Sequence, residues 1–195
     1  MKIYSYLPSS FCDWPGKVAA VVFTQGCNFR CPWCHNKHLL DDTADGTADV
    51  GGFFDEVAGR CRAGIIDGLV ITGGEPVMQP DIADFLRECK NAGIPVKLDT
   101  NGSNPEILRL VFAEQLAFFV AMDVKAPFAK YDALCGCHVD AGAIRESIAL
   151  IASSGHPHQF RTTLVSGMLD ESDIADIRAM LPPGENLILQ DHRPA

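Results

Sequence analysis

The run Cys27-Asn28-Phe29-Arg30-Cys31-Pro32-Trp33-Cys34-His35 puts three thiols on one short stretch of chain, spaced Cx3Cx2C. Thiolates gathered this closely select zinc or an iron–sulfur cluster over harder metals. A structural zinc ion closes its tetrahedron with four protein ligands, and an electron-transfer cube of four irons is normally held by four cysteines. Three donors would leave one iron of such a cube open to a small-molecule ligand, which makes the cluster a catalyst. The competing assignments are a zinc loop completed by His35 or a remote cysteine, and a plain electron carrier. Both need a fourth protein donor.

Three further clusters of polar residues have spacings that suit chemistry. In Gly73-Gly74-Glu75-Pro76 two glycines permit close backbone approach and unusual dihedrals, and the adjacent carboxylate can bind an ammonium group. Asp99-Thr100-Asn101-Gly102 would otherwise be an ordinary turn. Asp123 and Lys125 are two apart on an expected strand, so they share a face and could fix a zwitterionic ligand.

The elements that must position these groups alternate along the chain. Strands are expected at Val18 to Thr24, Gly68 to Thr72, Val96 to Thr100, Phe118 to Val124, Phe160 to Val165 and Asn186 to Gln190. Helical patterns fall between them: Val50 to Ala63, then Ile82, Phe85, Leu86 and Cys89 at i, i+3, i+4 and i+7. Pro80 suits the first turn of that second helix and Gly93 its end, and Asn104-Pro105 reads as N-cap and first residue of the next. Ile144, Ile148 and Ile151 mark another helix, as do Ile174, Ile177 and Leu181. Repeated strand–helix units imply a parallel sheet with right-handed crossovers. A complete eight-unit barrel takes about 250 residues. Six units in 195 residues therefore predict an α/β fold, a partial and laterally open (β/α)6 TIM-like barrel, as a single domain over residues 1–195. Every polar cluster above then falls at the C-terminal end of a strand, where such folds collect their chemistry. Asp41 to Asp49, rich in Gly, Thr and Asp, reads as a mobile loop.

Composition limits the function classes. A hydrophobic fraction of 47% and a charged fraction of 21% are ordinary for a globular protein. No apolar run approaches the roughly 18 residues of a spanning helix, and the N-terminal residues show no export signal. A formal charge of −9 argues against nucleic acid as a partner. Eight unevenly spread cysteines fit reduced thiols in the cytoplasm better than a disulfide framework. Cys12, Cys61 and Cys89 read as small buried hydrophobes. Cys135-Gly136-Cys137 offers two more thiols, too few to complete a second metal or redox site.

The Cx3Cx2C spacing resembles that of the radical S-adenosylmethionine (SAM) enzymes, and the likeness continues beyond it. Asp13-Trp14-Pro15-Gly16, Phe23 to Cys31, Cys34-His35-Asn36, Lys97 to Gly102 and Ala121 to Pro127 resemble the anaerobic ribonucleoside-triphosphate reductase activating proteins. These are glycyl-radical-enzyme activases, as is the pyruvate formate-lyase activating enzyme. The resemblance runs from about Ser10 to the C-terminus and takes in Phe160 to Thr163. It implies a [4Fe-4S] cluster on Cys27, Cys31 and Cys34, and SAM as second cofactor. It places Trp33 near the adenine, and the backbone of Gly73 and Gly74 with Glu75 at the methionine amine. Asp99, Asp123 and Lys125 would contact or orient SAM, with Asp99, Thr100 and Asp123 around a monovalent cation. Arg161 would lie near the SAM carboxylate and His192 near the ribose, although Leu189-Gln190-Asp191-His192-Arg193 departs from the usual Leu-Gln-X-Phe-Arg-Pro ending.

The implied activity is reductive cleavage of SAM to a radical that takes a Cα hydrogen from a glycine of a partner enzyme. Such chemistry needs no protein acid or base; His35 could tune the cluster through a hydrogen bond. The implied partners are a glycyl radical enzyme, foremost the anaerobic ribonucleoside-triphosphate reductase, and a low-potential donor such as flavodoxin or ferredoxin. Activation of a pyruvate formate-lyase type enzyme is an alternative. Another is a small-molecule radical SAM enzyme such as 7-carboxy-7-deazaguanine synthase, against which the Asp99 to Gly102 and Asp123 to Lys125 motifs weigh.

Overall fold

A computed structural model describes residues 1–41 and 52–192. Apart from Asp41, the stretch expected to be a mobile loop lies outside these residues. Seven strands form one sheet in chain order: β1 Ile3–Ser10, β2 Ala19–Thr24, β3 Gly68–Gly73, β4 Val96–Thr100, β5 Phe119–Asp123, β6 His158–Leu164 and β7 Leu187–Asp191. Strands β2 to β7 are parallel, and they are the six expected from the sequence, with ends shifted by two residues at most. The sheet is curved TIM-fashion but stays open, because β7 pairs with β6 alone and β1 occupies the other edge.

β1 is the strand that the sequence pattern did not announce. It runs antiparallel to β2, with register irregularities between Ile3 and Ser5 and between Leu7 and Ser10. Its mid-section is half-buried or exposed, so no clean alternation marks it, and Pro8 is tolerated because an edge strand has a free side.

The crossovers are α1 Phe53–Arg62, α2 Ile82–Asn91, α3 Pro105–Ala113, the pair α4 Tyr131–Cys135 and α5 Ala141–Ser153, and α6 Glu171–Met180. α2 buries Ile82, Leu86 and Cys89, the stripe that its periodicity predicts. Pro80 falls just before its N-cap, Asp81, and not in its first turn; Gly93 ends it with φ +72°. Asn104 caps α3 by accepting from the Ile107 N–H at 3.3 Å. α4 went unrecognised because a helix this short carries no readable period. Among the described residues no helix is long and apolar enough to cross a membrane.

Strand alternation sorts side chains into two environments. Ala20, Val22, Leu69, Ile71, Leu98, Val120, Met122 and Phe160 point outward and join the main core beneath the helices. The inward face carries a smaller cluster, Trp14, Ala19, Val21 and Val70, flanked by Phe23 and Phe119. Further along that same inward face come Lys97, Asp99, Asp123 and Arg161. The barrel interior is thus apolar towards the strand N-termini and charged towards their C-termini. Of the three cysteines expected to be buried, Cys89 is and Cys61 partly is. Cys12 is exposed, because it sits in a bend just past the end of β1.

Candidate functional site

The thiol loop leaves the end of β2 and is held from outside by backbone contacts. Gly26 N donates to Leu39 O at 2.7 Å and Arg30 N to Cys135 O at 2.7 Å. The Trp33 indole Nε1 donates to Leu134 O at 3.1 Å, and Cys137 Sγ donates to Asn28 O at 3.4 Å. The Cys135-Gly136-Cys137 segment is therefore the bracket behind the loop. Its glycine is required: φ is +64°, and a Cβ there would lie 2.3 Å from Arg30 O.

The segment after β3 packs tightly on the start of the loop. Gly74 N donates to Thr24 O and Glu75 N to Gly26 O, both at 2.8 Å. A Cβ at Gly73 or Gly74 would come within 2.3 or 2.1 Å of this neighbouring backbone. The Glu75 carboxylate is buried and accepts from Thr100 Oγ1 at 2.7 Å, Asn101 N at 2.7 Å and Val77 N at 3.2 Å. It braces the end of β3 to that of β4. Burial pushes the Glu75 carboxyl up to about 7, against the pull of those three donors.

Charged side chains from three strands form a ladder next to this brace. Arg161 of β6 donates through Nε to Asp123 at 2.7 Å and through Nη1 to Asp99 at 3.3 Å. Lys125 Nζ donates to the other Asp123 oxygen at 2.9 Å, and Lys97 pairs with the other Asp99 oxygen. Burial alone would raise Asp123, but the charges of Arg161 and Lys125 overcome it and hold the carboxyl well below the usual range. Burial likewise works against the Lys125 ammonium, and Asp123 more than offsets it. Lys125 Nζ also stands 5.3 Å from the centre of the Trp33 ring, a cation–π distance.

These parts surround one open cavity of about 230 Å³ at the C-terminal ends of the strands. Cys27, Cys31, Cys34, Trp33, Gly73, Gly74, Glu75, Asp99, Asp123 and Lys125 all line it. Two expected contacts do not. Arg161 lies behind Asp99 and Asp123, not on the cavity wall. His192 packs on the loop instead: its ring stacks on His35 at 4.9 Å, and its Nε2 lies 3.2 Å from Trp33 O. The polar residue that β7 does bring to the wall is Gln190, joined by Thr163 of β6. Both share the inward parity of Arg161 in the register, a signal the alternation contained. Lys97 was also overlooked, though a lysine inside an apolar strand two residues before Asp99 is conspicuous.

The donor set suits an iron–sulfur cluster, which takes its iron on cysteine thiolates. Three thiols share the cavity wall, and the rest of the wall is polar enough for a charged nucleotide. A hydrogen bond with Cys135 holds the Cys31 thiol below its ordinary range against burial, while burial pushes Cys27 up to about 12.

Comparison with known proteins agrees with this geometry. Residues 21–181 match the Radical SAM superfamily, and the chain belongs to it: the protein is a radical SAM enzyme, of a family that uses a [4Fe-4S] cluster and SAM. Within the superfamily it is related to the glycyl-radical-enzyme activating enzymes. A Methanocaldococcus jannaschii protein that carries that name is 35% identical over 188 residues, covering 93% of this chain and 76% of the relative. The pyruvate formate-lyase 1-activating enzyme of Escherichia coli is 33% identical over 107 residues, 52% of this chain and 42% of that one. The 7-carboxy-7-deazaguanine synthase of Thermoplasma acidophilum is 33% identical over 109 residues, 56% and 48% of the two chains. In fold, the chain resembles Streptococcus suis SuiB bound to SAM, with TM-score 0.62 at 13% identity over 87% of this chain and 38% of that one.

Proposed function

We propose that the protein activates a glycyl radical enzyme, and that its partner is an anaerobic ribonucleoside-triphosphate reductase. The observation that carries the first part is the likeness to the M. jannaschii activating enzyme, which spans 93% of this chain. The second part rests on the Asp99-Thr100-Asn101-Gly102 and Asp123-Val124-Lys125 segments and their resemblance to the reductase activators.

In this reading Cys27, Cys31 and Cys34 would hold a [4Fe-4S] cluster, which would supply the electron for reductive cleavage of bound SAM. The chain's own residues bind and orient. Asp99 and Asp123, with Lys97, Lys125 and Arg161, form a group of two anions and three cations. That surplus positive charge suits the carboxylate of the methionine moiety. Trp33, held by Leu134 O, offers a flat apolar face to the adenine, and Gln190 and Thr163 offer hydrogen bonds to the ribose at the rim. Glu75 keeps the floor rigid by tying Thr100 and Asn101 to the turn at Val77. The open side of the sheet would admit a glycine-bearing loop of the partner. A reduced flavodoxin or ferredoxin would supply the electron, in the cytoplasm.

The test is anaerobic mixing of reduced, cluster-loaded protein with SAM and candidate reductases, followed by electron paramagnetic resonance. A glycyl doublet on the ribonucleotide reductase is expected. A doublet on a formate-lyase instead would move the partner assignment. SAM cleavage without a doublet on any candidate would overturn the activase reading.

A further inference from the structure

We propose that this protein supplies its own monovalent cation: the ammonium of Lys97 neutralises Asp99 within the barrel, so SAM binding is indifferent to potassium and sodium. The inference rests on the SAM-binding reading above and concerns one part of it, the metal cation that the family resemblance implied around Asp99, Thr100 and Asp123.

The residues do not fit that ion. Each of the four oxygens of Asp99 and Asp123 already carries a cationic nitrogen, from Lys97, Arg161 (twice) and Lys125. Thr100 is committed too: its Oγ1 donates to Glu75 at 2.7 Å and accepts from Gly102 N at 3.0 Å. A metal cation would have to share or displace a cationic nitrogen at every carboxylate oxygen it reached. It would also add charge to a group that is positive without it, three cations facing two anions.

Lys97 has nowhere else to place its charge. It is fully buried. Its register partners on the neighbouring strands are Val70 and Phe119, part of the apolar plug formed with Trp14, Ala19 and Val21. A buried ammonium is strongly disfavoured unless it is paired, and Asp99, two residues further along the same face, is its ion partner. An apolar residue at 97 would leave Asp99 with Arg161 alone and the two carboxylates sharing two cations, a balance with room for a metal ion. Lys97 is thus a positioning residue, acting on SAM through Asp99.

The experiment measures SAM affinity of the cluster-loaded protein, under anaerobic conditions and at matched ionic strength, in tetramethylammonium, sodium and potassium salts. The unaltered protein should bind within about twofold in all three. Lys97→Ala should lose roughly tenfold or more in tetramethylammonium and recover most of it in potassium, which a residue with only a packing role would not do. Lys97→Met fills the same space with an uncharged chain and should stay weak in every salt. Melting of the cluster-free protein gives a readout without SAM: potassium should raise the melting temperature of Lys97→Ala and leave that of the unaltered protein in place. Should the variants fail to fold, the salt comparison on the unaltered protein decides alone. Potassium-dependent binding there, or a Lys97→Ala variant that folds and ignores potassium, overturns the inference while sparing the SAM reading. Absence of SAM binding in every salt overturns both.

Discussion

The thiol loop and the charge ladder face each other across one cavity, and they are built in opposite ways. The loop brings all three thiols from residues 27 to 34, and its shape depends on backbone hydrogen bonds to distant partners such as Leu39 and Cys135. The ladder brings five charged residues from three strands, and its shape depends on sheet register and on the pairing of charges. A loop of the first kind can lose its bracket and still keep its ligands near one another. A ladder of the second kind loses its balance with one substitution. The two regions should therefore fail differently, the first in cofactor retention and the second in stability.

The largest effect is expected at the loop. Cys31→Ser should lower bound iron and 5′-deoxyadenosine formation by roughly 100-fold or more, beyond the 10–100-fold typical of an outer partner, with a melting temperature close to normal. Iron analysis and product assay check it. The ladder should answer in the other currency. Asp123→Asn strands Lys125 in a largely buried place and leaves Arg161 with Asp99 alone, and should cost about 3 kcal/mol of folding stability, read by denaturant unfolding. If it costs nothing, register and not charge holds the ladder.

Gly136→Ala sharpens the same contrast from the bracket side. The new Cβ collides with Arg30 O in a backbone region that favours glycine, and a cost of about 2 kcal/mol is expected, together with faster loss of the cluster in air. Glu75, the brace between the two regions, should show itself in pH dependence. Its folded pKa, about 7, lies above the ordinary 4.5, so the folded state prefers the protonated form. Its contribution is full below the ordinary value and is lost as pH rises through 7, at up to about 1.4 kcal/mol per pH unit. Glu75→Gln should flatten that part of the stability profile. The smallest effects separate two residues near the cavity rim. Gln190→Ala should weaken SAM binding about threefold and His192→Ala by less than twofold, given about 1 kcal/mol for a single hydrogen bond. The reverse order would return the ribose to His192.

Much of this site could be read from the chain. Cys27, Cys31 and Cys34 are neighbours in sequence, so their spacing survives any fold. Asp123 and Lys125 share a face by strand alternation alone, and the six parallel strands followed from apolar runs bounded by turn residues. β1 was missed because an edge strand with one free side need not alternate. The family resemblance implies His192 at the ribose, whereas in the structure it follows β7 directly and packs on His35 and Trp33. The bracing role of Glu75 was not legible, because two of its three donors, Thr100 and Asn101, come from the end of another strand.

What the amino-acid order determined unaided is local: which residues carry thiols, which strands exist, and which charges share a face. Those properties depend on covalent spacing and on helical and strand periods, and they hold before any long-range contact forms. What the tertiary structure decided is pairing. Arg161 meets Asp99 and Asp123, Lys97 is sealed against the plug below it, and Cys135 sits behind Cys31, because the parallel register and the α4 turn bring together segments tens of residues apart. Balance of charge and burial belongs to such neighbours, and neighbours across a sheet are written in no single stretch of chain.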